Sequence, residues 1–100
     1  MDIERGYNNM INKIQFEGIN KGITFRNDKI IKFKLENIGS SKKNKTAIIS
    51  TFDIDKLDLL EMSKEKTILI DGEFYETSYK DKNDNWINGY CINAKNITLK

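Results

Sequence analysis

The sequence has no histidine, no proline and a single cysteine, Cys91, and these shortages exclude several classes of function. Without histidine the chain lacks the commonest general base and metal ligand, and one cysteine provides neither an internal disulfide nor the ligands of a typical zinc site. The sequence also contains neither GxGxxG nor GxxxxGK[ST], so no phosphate-binding loop is indicated. The sequence therefore predicts no metal and no cofactor.

Long apolar runs are missing as well. No stretch of about 18 apolar residues occurs, so the sequence predicts no membrane span. Residues 1–6 lack the basic and apolar regions of a signal peptide, and a lone cysteine fits a reducing compartment. These observations predict a cytoplasmic protein without membrane contact.

The composition is that of one globular domain of 100 residues, with 38% hydrophobic and 32% charged residues. The net charge is only +2, too small to indicate a nucleic-acid partner by itself. Of the 17 basic residues, 15 are lysines and two are arginines. Because arginine is the side chain suited to bidentate base recognition, this balance argues against sequence-specific reading of DNA.

The longest strand pattern covers residues 66–79. Side chains alternate between the two faces of a strand, and one parity carries the apolar residues expected in the core: Ile68, Ile70 and Phe74. Gly72 lies in mid-strand and indicates a bulge, a bend or a close backbone approach. Tyr75 and Tyr79 have the outward parity. A long strand that bends at a glycine is typical of a small closed barrel.

Shorter elements surround this strand. In chain order we expect an N-terminal extension at 1–9, strand 1 at 10–19, a turn-rich connection at 20–29, strand 2 at 30–37, a basic loop at 38–45, strand 3 at 46–52, a helix at 53–64, a polar loop at 80–85 and strand 5 at 86–99. Asp53 is the expected N-cap of the helix. In strand 5 the apolar parity changes after Ala94, which predicts a bulge near Lys95.

This order predicts a mainly β protein, in which residues 10–100 form a five-stranded OB-fold, a Greek-key β-barrel with one α-helix between strands 3 and 4.

Residues 70–74 (IDGEF), followed by 77–82 (TSYKDK), resemble the fourth strand and following loop of bacterial single-stranded-DNA-binding proteins. Residues 12–18, 33–35, 55–64 and 94–99 resemble other parts of that family at the level of pattern. The resemblance implies a homo-oligomer, either a dimer or a tetramer. The chain departs from the family in lacking a tryptophan on strand 3 and an acidic C-terminal tail. It therefore resembles a tail-less relative, such as the primosomal OB-fold protein, or a trimmed domain.

Four aromatic residues are candidates for stacking on nucleobases. Tyr79 is the first candidate, because it matches a stacking aromatic of the family; the alternative is a tyrosine that covers the barrel rim. Tyr75 is expected either to stack or to lie in a subunit interface. Phe52 is expected either in the core or in a stacking position, and Trp86 either supports a hairpin or contacts nucleic acid.

The lysines that border the same predicted groove form three groups: Lys32 and Lys34 on strand 2, Lys42, Lys43 and Lys45 in the loop between strands 2 and 3, and Lys80 and Lys82 beside the loop between strands 4 and 5. Each group is either solvated surface or a set of phosphate contacts.

Three functions are consistent with these patterns. The first is sequence-tolerant binding of single-stranded DNA, with RNA as an open alternative, in replication, recombination or plasmid or phage maintenance. The second is a protein–protein assembly module that contacts replication proteins. The third, a nuclease, is disfavoured because its candidate acids are spread over a helix start and a strand: Asp53, Asp55, Asp71 and Glu73. The sequence therefore predicts a binding protein and not an enzyme.

Overall fold

The computed structural model describes residues 10–39 and 43–100, so the predicted extension at 1–9 lies outside the described residues. The strands are β1 (Ile14–Arg26), β2 (Ile31–Asn37), β3 (Lys45–Thr51), β4 (Thr67–Glu76), β5 (Tyr79–Lys80), β6 (Trp86–Ile87) and β7 (Tyr90–Leu99). A 3₁₀ turn at Ile54–Lys56 continues directly into the helix α1, Leu57–Met62. Within the two described ranges, no helix has the length and apolar character needed to cross a membrane.

Five of the strands close into a barrel in the order β1-β2-β3-β7-β4. The long strand β1 pairs antiparallel with both β4 and β2, and the barrel closes where β3 runs parallel to β7. This is the predicted OB-fold, with α1 between β3 and β4. The short strands β5 and β6 form a separate two-stranded sheet between β4 and β7, which we call the hairpin.

The barrel core follows from the alternation of side chains. On β2, Ile31, Phe33 and Leu35 are buried, whereas Lys32 and Lys34 point outward, as predicted. Among the described residues, the buried apolar side chains are those of Ile31, Phe33, Leu35, Ile49, Leu60, Ile68, Ile70 and Ala94. Burying an aliphatic side chain of this size stabilises a fold by about 1.5–3 kcal/mol. The core is therefore built from residues of β2, β3, α1, β4 and β7.

The strand β1 continues to Arg26, through most of the segment 20–29 that was predicted as a turn-rich connection, and this part of the prediction is wrong. The pairing of β1 with β2 continues to Arg26, with register shifts at Lys21 and Thr24. Asn20 is fully buried, and its side-chain amide nitrogen donates a hydrogen bond to the carbonyl oxygen of Leu60 at 2.9 Å. The glycine at position 22 makes the sequence of this segment look like a turn. In the structure Gly22 has a φ of 118°, a backbone conformation suited to glycine.

Of the three alternatives expected at Gly72, a bulge, a bend or a close backbone approach, the structure shows a close backbone approach next to a bulge in the paired strand. A Cβ atom built on Gly72 would overlap the carbonyl oxygen of Asn93 on β7. The register changes at the same place, because Asp71 pairs with Asn96 whereas Gly72 pairs with Ala94. Lys95 is thus the extra residue of a bulge, which confirms the bulge expected in the last strand.

The end of the fourth strand, the burial of Phe74 and the length of the helix also differ from the prediction. The strand β4 ends at Glu76 and not at Tyr79. Phe74 is 49% exposed and lies outside the core, because β1 begins opposite Gly72 and leaves no strand beyond that point to cover its ring. The helical region predicted for 53–64 consists of the 3₁₀ turn and the shorter α1. Asp53 is the N-cap as expected, and its carboxylate accepts a hydrogen bond from the Asp55 amide at 3.2 Å.

Candidate nucleic-acid interface

The sheet presents one continuous surface to the outside along β1, β2, β3, β7 and the end of β4. Residues directly opposite each other on paired strands share a face. Phe25 lies opposite Lys32, and Lys32 lies opposite Ser50. We call this surface the outer face and define it by its side chains: Phe25, Lys32, Lys34, Ile48, Ser50, Phe52, Tyr75 and Cys91.

An exposed aromatic pair occupies one side of the outer face. Phe52, one residue after β3, contacts Tyr75 of β4 in an edge-to-face arrangement, with ring centroids 5.9 Å apart and an interplanar angle of 69°. The two side chains are 51% and 40% exposed. The alternative that placed Phe52 in the core is therefore wrong, because the outward parity of β3 continues through this residue. Both rings have free surface on which a planar group can stack.

The centre of the outer face is closely packed. Ser50 is 1% exposed, and its hydroxyl lies 3.4 Å from the thiol sulfur of Cys91 on β7. Cys91 is half-buried and faces outward beside Tyr75, since it pairs with Tyr75 across β4 and β7. Ser50 is therefore covered by its neighbours, and the groups that a ligand can reach in this part of the face are Cys91 and the rings beside it.

Two lysines supply positive charge on this face. Lys32 is half-buried and Lys34 is exposed, and they lie opposite Ser50 and Ile48. Within residues 10–39 and 43–100, neither lysine forms an ion pair. A half-buried lysine rests its aliphatic stem on the sheet and keeps its ammonium group in water. Both ammonium groups are thus available to an anionic ligand.

The other predicted lysines lie at one end of the barrel. Because β3 and β7 are parallel, the loop before β3 and the hairpin before β7 are at the same end. Lys43 and Lys45 border that loop and are exposed, and Lys80 and Lys82 belong to the hairpin. Lys42 lies outside the described residues. Two of the three predicted lysine groups therefore share an end of the barrel, and the third lies on its outer face.

The hairpin carries Tyr79 and Trp86 away from the strand that holds Tyr75. Tyr79 pairs with Ile87, and Lys80 pairs with Trp86, so the two aromatic rings lie on opposite faces of the hairpin. The Lys80 ammonium lies 5.9 Å from the centroid of the Trp86 ring. The expectation that Tyr75 and Tyr79 share a strand is wrong, because the ladder of β4 and β7 is interrupted at Ser78 and Asn88.

The acidic residues that first suggested chemistry have structural partners. Glu73 forms an ion pair with Lys95 at 3.2 Å, and the carboxylate of Asp71 accepts a hydrogen bond from Gln15 at 3.0 Å. In the part of the chain that the structure describes, no group of three or more histidine, cysteine, aspartate or glutamate side chains is placed to hold a metal ion.

Sequence reasoning missed Phe25, which is 50% exposed on the outer face. The sequence pattern assigned its position to a turn. The alternation of Ile23, Thr24 and Phe25 indicates a strand directly before the Asn27 turn, where the Asn27 side chain accepts hydrogen bonds from the amides of Lys29 and Ile30. It does not indicate that Phe25 faces outward, because Ile23 packs against the core.

Comparison with protein-family models and with the sequences of curated proteins gives no match. Solved structures do match. The mitochondrial single-stranded-DNA-binding protein of S. cerevisiae superposes with a TM-score of 0.69 at 12% identity, over 90% of this chain and 96% of that chain. A second crystal structure of that protein, labelled with selenomethionine, gives 0.63 at 14% identity, with coverage of 90% and 96%. The Plasmodium falciparum SSB in complex with single-stranded DNA gives 0.69 at 16% identity, over 91% of this chain and 96% of that chain. At these identities the comparisons establish a shared OB-fold.

Proposed function

We propose that this protein binds single-stranded DNA with little sequence preference and performs no catalysis. The observation that carries the proposal is the exposed Phe52–Tyr75 pair beside the lysines of β2 on one face of an OB barrel. Aromatic rings stack on any base, and lysines contact any phosphate, so this combination tolerates sequence.

The fold supports the same proposal. The P. falciparum SSB, which has a similar fold, has been solved in complex with single-stranded DNA. The OB-fold commonly presents its second and third strands, with the loop between strands 4 and 5, to nucleic acid. Lys32 and Lys34 lie on β2, next to β3, and the hairpin corresponds to that loop.

The hairpin and the neighbouring loop extend the proposed surface. Tyr79 and Trp86 are the additional stacking candidates, and the ammonium groups that accompany them are those of Lys43, Lys45, Lys80 and Lys82. The proposed role of Lys42 belongs to the same loop. We further propose a homo-oligomer that acts in the cytoplasm in replication or recombination, where single strands are exposed.

A fluorescence titration with oligo-dT at two salt concentrations tests the function. Trp86 and the tyrosines are intrinsic reporters. We expect quenching that weakens with salt, with a log–log slope of about 0.7 per neutralised phosphate, and weaker binding to duplex DNA. Absence of any spectral change at low salt would overturn the proposal.

Tyr75→Ala tests the stacking surface. We expect a loss of about 1–3 kcal/mol of binding free energy. Tyr90→Ala is the matched control, because Tyr90 is an exposed tyrosine that packs on Phe74 at 5.0 Å and not on the outer face. Equal losses for both variants would contradict the assignment of the outer face.

A second function, as a protein–protein assembly module, is favoured by a different feature. An apolar groove of about 340 Å³ opens where β3 and β7 diverge, and it is lined by Thr46, Ala47, Ile48, Phe74, Tyr90, Cys91 and Ile92. In this alternative the protein binds DNA weakly and is retained by a replication protein. A pull-down in which Tyr90→Ala loses a specific protein while Tyr75→Ala keeps it would favour this function.

A further inference from the structure

Phe25 is held on the outer face by a bulge in β1. Ile23 pairs with Phe33, and an uninterrupted ladder would then place Phe25 opposite Ile31, which is buried. The register instead shifts between Ile23 and Phe25, so that Phe25 pairs with Lys32. One inserted residue moves the following side chains to the other face of a strand. The bulge therefore turns the Phe25 ring from the core side of the barrel to the outside.

The bulged residue is stabilised in place. The hydroxyl of Thr24 donates a hydrogen bond to the carbonyl oxygen of Lys32 at 3.3 Å. Ile23, the residue before the bulge, packs against the core, and Arg26, two residues after it, pairs with Ile31. The exposed Phe25 is thus fixed from both sides by paired backbone, and its exposure does not result from a loose loop.

Phe25 and the Phe52–Tyr75 pair lie on opposite sides of the outer face. Lys32 and Ser50 follow it on the next two strands. Neighbouring strands are about 4.8 Å apart, so along the sheet β1 lies about 10 Å from β3, which leads to Phe52, and about 19 Å from β4, which carries Tyr75. Two aromatic positions are therefore separated by a lysine and by small polar side chains.

We propose that Phe25 is a second base-stacking position, and that a single strand crosses the barrel strands from Phe25 to Tyr75 with Lys32 at the phosphate between them. This inference rests on the proposed function and adds the path of the ligand. Bases at the two ends of the path stack on rings, and the backbone between them passes over Lys32.

The affinity test compares three variants at position 25 and one elsewhere. Phe25→Ala is expected to weaken oligo-dT binding by about 5- to 150-fold, which is the range for the loss of one stacked base. Phe25→Leu keeps apolar area without a ring and is expected to lose most of the same affinity, whereas Phe25→Tyr is expected to retain it. Phe74→Ala is the matched control, a phenylalanine of equal exposure away from the outer face.

A fluorescence reporter tests contact directly. In the double variant Trp86→Phe with Phe25→Trp, the new tryptophan is the only one in the chain. We expect its emission to be quenched by oligo-dT, and the single variant Trp86→Phe supplies the reference affinity. Circular dichroism melts of every variant are expected to match the wild type, since Phe25 lies outside the core.

The outcomes separate this inference from the function itself. If wild-type protein binds oligo-dT but Phe25→Ala or Phe25→Leu binds equally well, or the tryptophan at position 25 is not quenched, Phe25 is not a stacking position and the proposed function stands. If wild-type protein shows no binding at low salt, both proposals fail.

Discussion

The outer face of the barrel and the hairpin both carry exposed rings and lysines, but they are built differently. The outer face lies on strands whose ladders join them into one closed barrel, and β2 is paired on both sides over most of its length. The hairpin is a sheet of its own with two residue pairs, and within the described residues its ladder does not continue into the barrel. Thr77 and Gly89 form the base of the hairpin, which we call the hairpin root, where the Thr77 amide donates a hydrogen bond to the carbonyl oxygen of Gly89 at 2.8 Å.

The outer face is therefore a surface of fixed geometry, whereas the hairpin is less constrained. Ladder hydrogen bonds and core packing hold Tyr75 and Lys32 in place before any ligand arrives. An isolated two-stranded hairpin is marginally stable in water, so Tyr79 and Trp86 have positions that a ligand is able to change. We therefore expect substitutions that disturb the barrel backbone to lower the free energy of unfolding more than substitutions in the hairpin do.

The largest effect is expected for Gly72→Ala. A methyl group at this position overlaps backbone of β7, which cannot move without disrupting the barrel. We expect a loss of about 3 kcal/mol or more of unfolding free energy, measured by urea denaturation. Gly39→Ala is the control, because its Cβ would meet only the Asn37 side chain at 3.5 Å. A Gly72→Ala protein as stable as Gly39→Ala would show that the barrel yields at this point.

Gly89→Ala applies the same change to the hairpin root and is expected to have a smaller effect. A Cβ there would lie 2.5 Å from the Thr77 hydroxyl oxygen, which belongs to a side chain. We expect a loss of about 1 kcal/mol and faster amide exchange confined to the hairpin. A cooperative loss of stability as large as that of Gly72→Ala would mean that the hairpin and barrel fold as one unit.

Smaller changes in stability are expected for the two hairpin rings. Trp86→Ala removes the contact with Lys80, and an exposed cation–π contact contributes about 0.5–1 kcal/mol. Tyr79→Ala is expected to cost less stability but more affinity for oligo-dT, because Lys80 already covers part of the Trp86 ring. The two rings face opposite sides of the hairpin, so equal losses of affinity would contradict a single bound orientation.

The smallest effect concerns the ion pair between Lys21 and Glu65, whose atoms are 2.9 Å apart on the barrel surface. The hydrogen bond and charge of Glu65 raise the pKa of Lys21 above 10.5. A raised lysine pKa stabilises the fold below the unfolded-state value, and this contribution is lost as the pH rises through the folded-state pKa. We expect Glu65→Gln to lower the pKa in an NMR titration while the melting temperature near neutral pH changes little.

The barrel could be predicted from the sequence because its periodicities are simple. The alternation on β2, the N-cap at Asp53 and the parity change near Lys95 each depend on neighbours in the chain, and each is confirmed. The strand order follows from the OB-fold pattern. Local patterns of this kind predict the structure correctly because each one involves only a single strand or a single turn of helix.

The site was less predictable because small register changes decide which face a side chain occupies. The bulge at Thr24 turns Phe25 outward, and nothing in the local alternation locates that bulge. Phe74 continues the apolar parity of β4, but it lies beyond Gly72, the residue opposite which β1 begins. Its burial therefore depends on where another strand begins. The break in the ladder at Ser78 likewise leaves the alternating pattern of 66–79 unchanged.

The parallel pairing of β3 with β7 also bears on the order of folding. Among the described residues this ladder has two pairs, Ile49 with Ile92 and Ser50 with Asn93, and the partners are 43 residues apart. Contacts between distant segments cost chain entropy. The β1–β4 ladder joins residues 48 to 58 positions apart but offsets that cost with six pairs, whereas the β3–β7 ladder has two. We expect the barrel to close last along this seam and to open there first, so that the amides of Ile49 and Ile92 exchange with solvent sooner than those of Phe33 and Ile70.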